Sequence, residues 1–183
     1  EENHVIADLQ DDFRGQVIFL KQSLTPRSEL WPHLPSQATR IVESIRTLGS
    51  VVVANSSGNA WPIFLEMDGV QMLVEAVLAW ETPSQIRIQT WQTLAMLGQN
   101  LKGASLTDFL NDPALQRVFS ETPELEGVCF DYYVSFIRTL SQRIDSETAG
   151  AFAQCDFALI QRAMELTCHK DGMVRATART SYM

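Results

Sequence analysis

Apolar residues return at spacings of three and four along most of the chain, the signature of helices that each bury a single stripe. Val5, Ile6, Leu9, Phe13, Val17, Leu20 and Leu24 form the first stripe, which stops at Thr25-Pro26. The run from Pro26 to Pro35 is too rich in proline for a helix and reads as a connection. A long helix is predicted from about Ser36 to Ala54, with Ile41, Val42, Ile45, Leu48, Val51 and Val52 inward and Asn55-Ser-Ser-Gly-Asn59 as its stop. Shorter helices follow at about 60–67 and 70–80, parted by Asp68-Gly69, where a flexible glycine suits a tight turn. Pro83 opens another long helix to about Asn100, because proline fits a first turn whose N–H has no partner. Helices at about 105–111 and 113–119 come next, the run Glu121 to Gly127 introduces a long one over about 128–143, and segments near 146–154, 157–168 and 172–182 complete the chain.

These elements repeat. Thr-Leu occurs at 47/48, 93/94 and 139/140, an interval of 46 residues each time. Val42, Ile88 and Val134 keep the same interval, as do Ile45, Trp91 and Ile137. Each long helix is followed by a polar break and two shorter helices, and a unit of that length with three helices has the period of armadillo repeats. The expected fold is therefore all-α: an armadillo-like superhelix, a right-handed solenoid of three-helix repeats with a period of about 46 residues. Residues 1–34 supply an N-terminal helix and its proline-rich connection, 35–80, 81–126 and 127–171 are the repeats, and 172–183 begin a further one, so that the chain reads as a single domain cut from a longer protein.

Composition narrows the class. With 45% apolar residues, the 183-residue chain can bury a continuous core. A net charge of -8 works against non-specific binding to nucleic acid and to anionic membrane surfaces. Cys129, Cys155 and Cys168 lack CxxC spacing and read as reduced, buried thiols, which suits the cytosolic side. No signal peptide and no run long enough to span a bilayer stands in the visible sequence.

The sequence carries no recognisable catalytic constellation. His4, His33 and His169 form no HxxxH or HExxH pattern and read as surface or capping residues, His169-Lys170 complementing a helix C-terminus. Phosphate-cradling glycine motifs are absent, and the acidic pairs Asp11-Asp12 and Glu124/Glu126 read as solvated faces. Neither cofactor nor metal is implied, and the chain is read as a non-enzyme. Trp31 and Trp61, each before a proline, are candidate partner anchors, whereas Trp91 belongs to the repeat core. Of Tyr132 and Tyr133, one ring faces the core and its neighbour, about 100° further round the helix, points elsewhere.

The last third of the chain carries a resemblance. Tyr132, Tyr133, Ser135, Phe136, Thr139, Leu140 and Ser141 match a pattern close to YYxSFLKTLS; Asp156, Phe157 and Leu159 match DFPL; Met173, Val174, Arg175, Ala178, Arg179 and Thr180 match MVRxAVRT. In these blocks the sequence resembles the FPL domain of the C-type lectin domain family 16 member A / endosomal maturation defective (Ema) family. Ala158 replaces the middle proline of the naming motif, which keeps a helix start but loses the fixed backbone angle. The resemblance implies a cytoplasmic scaffold, peripheral at endosome, lysosome or Golgi membranes, acting in membrane trafficking and autophagy. Its implied partners are tethering or ubiquitin-ligase components. The alternative within the same resemblance is an exchange-factor-like activator of a small trafficking GTPase. Phe136, Leu140, Phe157, Leu159 and Val174 are expected in the core. Arg175 and Arg179, four apart on one helical face, are expected either to clasp carboxylates of the preceding unit or to meet an acidic partner segment.

Overall fold

The computed structural model of the chain describes residues 2–25, 33–56, 58–121, 125, 127–146, 148–154 and 158–179. Its regular structure, among those residues, is helical: α1 Glu2–Leu24, α2 Leu34–Ala54, α3 Ala60–Glu66, α4 Gly69–Leu78, α5 Ser84–Asn100, α6 Gly103–Asn111, α7 Pro113–Ser120, α8 Gly127–Ser141, α9 Ala149–Gln154, α10 Ala158–Thr167 and α11 Gly172–Arg179. The all-α class read from the stripes is the class observed.

Local chemistry sets the boundaries. Asp112 caps α7 by accepting the backbone N–H of Ala114 at 2.8 Å, and Pro113 follows in the first turn. Asp171 caps α11 in the same way, taking the Met173 N–H at 2.8 Å. Before α9, Asp145 and Thr148 exchange side chains reciprocally: the Asp145 N–H donates to Thr148 Oγ1 and the Thr148 N–H to Asp145 Oδ1. That exchange places the start of α9 at Ala149, later than the residue-146 boundary expected from the pattern. Pro83 stands one position outside α5, in extended backbone, and accepts the first N–H bonds of that helix from Ile86 and Arg87. Pro35, assigned to the connection, sits instead in the first turn of α2.

Tertiary packing is ordered by position in the chain: each helix meets the third one after it. The contacts run α1 to α4 to α7 to α10, and α2 to α5 to α8 to α11, and α6 packs on α9. The Trp61 ring of α3 lies 6.2 Å from that of Phe109 in α6. One continuous core results. Ile45, Trp91 and Ile137 are buried, and Leu48, Leu94 and Leu140 are fully so. The threonines before those leucines diverge: Thr47 is exposed, Thr139 half-buried and Thr93 buried. Thr93 is covered because Gly49 lets α5 approach; a Cβ at Gly49 would stand 2.7 Å from Thr93 Cγ2.

Glycines fix two more close approaches. A Cβ at Gly98 would lie 2.4 Å from Leu140 Cδ2, so the Leu140 side chain of α8 rests directly on the Gly98 backbone of α5. At the turn between α3 and α4 the sequence expectation needs correcting. Asp68, not Gly69, takes the left-handed conformation, with φ of 55°, which aspartate tolerates better than most residues. Gly69 is required by space: its missing Cβ would fall 2.2 Å from the Phe64 ring.

Candidate functional site

Among the described residues, a buried polar cluster joins α7, α8 and α10. Tyr133 is fully buried, with Trp91 and Phe130 against its ring at centroid distances of 5.1 and 6.3 Å. Its hydroxyl donates to the Val118 carbonyl at 3.3 Å and accepts from Arg162 Nε at 2.8 Å. Arg162, its side chain only 12% exposed, also pairs with Glu165 at 2.7 Å. Burial pushes the Tyr133 hydroxyl above its ordinary range, although Arg162 pulls it down. Burial alone works against the Arg162 charge, yet Tyr133 and Glu165 more than offset it. Held by Arg162 and the Val118 carbonyl, the Tyr133 hydroxyl clamps α8 to α7 and α10.

Cations elsewhere do similar work on helix ends, whose last carbonyls lack intrahelical donors. Lys21 donates to Met67 O and Asp68 Oδ2, Arg143 to Gln99 O and Leu101 O, and Arg175 to His169 O and Lys170 O. Arg175 therefore holds the turn between α10 and α11 through backbone carbonyls rather than through the carboxylates expected of it, while Arg179 is exposed. The His169 Nδ1 accepts the Asp171 N–H within the same turn.

The remaining motif positions divide by exposure. Phe136, Leu140, Leu159 and Val174 are core. Tyr132 is half-buried against the core, beside the fully buried Tyr133. Thr139 is half-buried and its hydroxyl donates to the Ser135 carbonyl at 2.9 Å; the Ser135 side chain is exposed. Met173 is exposed at the start of α11. Asp156, Phe157 and Thr180 lie outside the described residues, as do Trp31 and Cys155. Trp61 is buried among the core aromatics and is not a surface anchor, and Cys168 is exposed, contrary to the expectation of a buried thiol.

Hollows lie away from this cluster among the described residues. One of about 340 Å³ lies between α1, α2 and α3 over Phe13, Val51 and Ile63; another of about 320 Å³ is bounded by Lys102, Thr107, Arg143 and Asp145. Among the described residues no group of His, Cys, Asp and Glu side chains is placed to hold a metal ion, and no helix is long and apolar enough to cross a membrane.

A family model named FPL, whose description reads "Uncharacterised conserved protein", matches residues 45–182. The chain belongs to the FPL family. Its matched region runs from the middle of α2 through α11, so the Tyr133–Arg162 clamp and the Gly98–Leu140 contact both fall within the FPL region. This FPL chain is 24% identical over 147 residues to Protein CLEC16A of Mus musculus and of Homo sapiens, covering 76% of the chain and 14% of each relative. Against the Protein CLEC16A homolog of Caenorhabditis elegans it is 25% identical over 146 residues, covering 76% of the chain and 16% of the relative. The chain thus spans about a seventh of the length of the mammalian relatives it matches. No solved structure matches it.

Sequence reasoning missed Arg162 and Arg143 as structural clamps. Both were visible as cations late in the chain, but their targets, a phenol and two helix-end carbonyls, belong to other layers that only the folded chain brings near.

Proposed function

We propose that this chain is a non-enzymatic, armadillo-like protein-interaction scaffold of endosomal and lysosomal membrane trafficking and autophagy. The observation that carries the reading is the order of packing: each helix rests on the third after it, the arrangement from which a solenoid of three-helix units grows. The units proposed are 35–80, 81–126 and 127–171, with 1–34 before them and 172–183 opening another. Membership in the FPL family, together with the likeness to CLEC16A proteins, supports the trafficking assignment. Of the motif residues, the buried ones hold layers together, and Ser135, Met173 and Arg179 are left to meet partners.

The partners proposed are tethering or ubiquitin-ligase components, and the location is cytoplasmic, peripheral at endosome, lysosome or Golgi membranes. Expression of the tagged chain in cells, followed by imaging and co-capture, tests this. The expected result is endosomal or lysosomal recruitment with tethering components in the captured fraction; a diffuse chain that captures none overturns the reading. A nucleotide-release assay with a small trafficking GTPase separates the activator alternative, since a scaffold leaves the release rate unchanged.

A further inference from the structure

Trp80, Val128 and Met173 are 74%, 57% and 82% exposed, unusual values for large apolar side chains. All three stand at N-terminal ends in the α5–α8–α11 column. Trp80 is in the turn before α5, and Val128 and Met173 are the second residues of α8 and α11. Contacts between layers hold these ends side by side. Cys129 Sγ lies 3.9 Å from the Ser84 carbonyl oxygen at the start of α5, and the Phe130 ring is 5.2 Å from that of His169, which precedes α11. Cys129 reaches the layer before and Phe130 the layer after, which leaves Val128 facing outward between them.

Glu81, next to Trp80, and Asp131, one helical turn on from Val128, are exposed carboxylates, whereas at the Met173 end Asp171 stands with Lys170 and Arg175. Neighbouring layers of packed helices are about 8–10 Å apart, and seven residues of a helix rise about 10.5 Å. Apolar residues at heptad spacing on one partner helix therefore keep step with the row. The carboxylates beside Trp80 and Val128 favour Lys and Arg on the stretch of the partner that meets them. They disfavour an anionic lipid surface and a second copy of this chain, whose net charge is -8.

We propose that this edge docks a basic amphipathic helix of a partner protein, with Trp80 as its main anchor. The proposal rests on the scaffold reading and adds the chemistry of the partner. The probe is a synthetic helical peptide of about three heptads, leucine at the a and d positions and lysine elsewhere, beside a counterpart with glutamate in place of lysine. Fluorescence anisotropy of labelled peptide and the protein's tryptophan emission are recorded.

The lysine peptide is expected to bind saturably and to move tryptophan emission to shorter wavelength, a shift lost in Trp80→Phe; the glutamate peptide does neither. Trp80→Ala, and Val128→Ser combined with Met173→Ser, each weaken binding about tenfold or more, with an unchanged circular-dichroism spectrum because the three side chains are exposed. Ile18→Ser and Met164→Ser, exposed apolar positions off the edge, leave binding intact. Absence of binding, equal binding of both peptides, or equal loss in the two control variants overturns the proposal. In cells, a Trp80/Val128/Met173 triple variant that still captures tethering components overturns the edge and leaves the scaffold standing. A wild-type chain that captures none brings down the scaffold itself.

Discussion

Replacing Gly98 by alanine puts a methyl group where α5 and α8 already touch. Two opposing effects decide the outcome. Alanine gains about 1 kcal/mol over glycine in a helix interior, through the entropy glycine loses on folding. Against that, the new Cβ would stand 2.4 Å from Leu140 Cδ2 and 3.6 Å from Phe109 Cε1. Leu140 and Phe109 are both fully buried, so neither side chain can swing into solvent. Opening the contact by about 1 Å requires α5 and α8 to part or Leu140 to leave its rotamer, a strain of roughly 1–3 kcal/mol. Gly15→Ala supplies the reference, since a Cβ at Gly15 meets nothing within 4 Å and the propensity gain is shared. In urea unfolding followed at 222 nm, Gly15→Ala is expected to be more stable than Gly98→Ala by about 1–3 kcal/mol. Leu140→Val, which removes the obstructing Cδ atom, should recover part of the difference in the double variant. Equal stability of the two alanine variants, with no recovery, refutes the close approach of α5 to α8.

Other consequences follow from single contacts. Tyr133→Phe leaves Arg162 Nε and the Val118 carbonyl without their partner in the interior, and is expected to destabilise by about 1–3 kcal/mol in the same assay. Asp112 is raised above its ordinary pKa by burial, in spite of the Ala114 N–H bond. The folded state therefore holds this proton to higher pH than the unfolded chain, and the group lowers stability as pH rises from its unfolded toward its folded pKa. Asp112→Asn keeps the cap without the charge; its stability relative to the native chain should grow through that acid range, whereas Asp112→Ala should lose about 1 kcal/mol at neutral pH. Arg175→Ala removes the donor to His169 O and Lys170 O, and hydrogen exchange is expected to quicken in α11 while α2 and α5 stay protected.

The helical class was legible because its cause is local. Stripes at three- and four-residue spacing and stops such as Asn55–Asn59 mark helices whatever they later touch. The equivalence of Leu48, Leu94 and Leu140 was legible for the same reason: a fully buried position tolerates little besides a large apolar side chain. Position within the stack was not. Thr47, Thr93 and Thr139 are identical in sequence register yet differ in burial, because the neighbour across from each is set by another helix. Gly69 read as a flexible turn residue, but its reason is the Phe64 ring, five residues back in the chain and in direct contact in space. Trp61 and Trp80 show the same limit: adjacent proline suggested an exposed anchor at Trp61, which is buried, and nothing in the pattern singled out Trp80, which is exposed. Arg175 was expected to meet carboxylates, and the backbone carbonyls it holds instead belong to a turn whose placement no stripe or spacing marks.

The stacking of α2, α5 and α8 in one column is the claim on which the rest depends, and a single distance tests it. Thr39, Gln85 and Asp131 stand 46 residues apart, one on each helix, and all are exposed. With the native cysteines replaced, spin labels at Thr39 and Asp131 report the separation of α2 from α8 by pulsed electron–electron resonance. Two interhelix spacings place roughly 16–20 Å between the backbones, so the account predicts one narrow distribution between about 15 and 30 Å once the label tethers are included. A maximum beyond about 40 Å, or a broad distribution without a dominant distance, contradicts the stack.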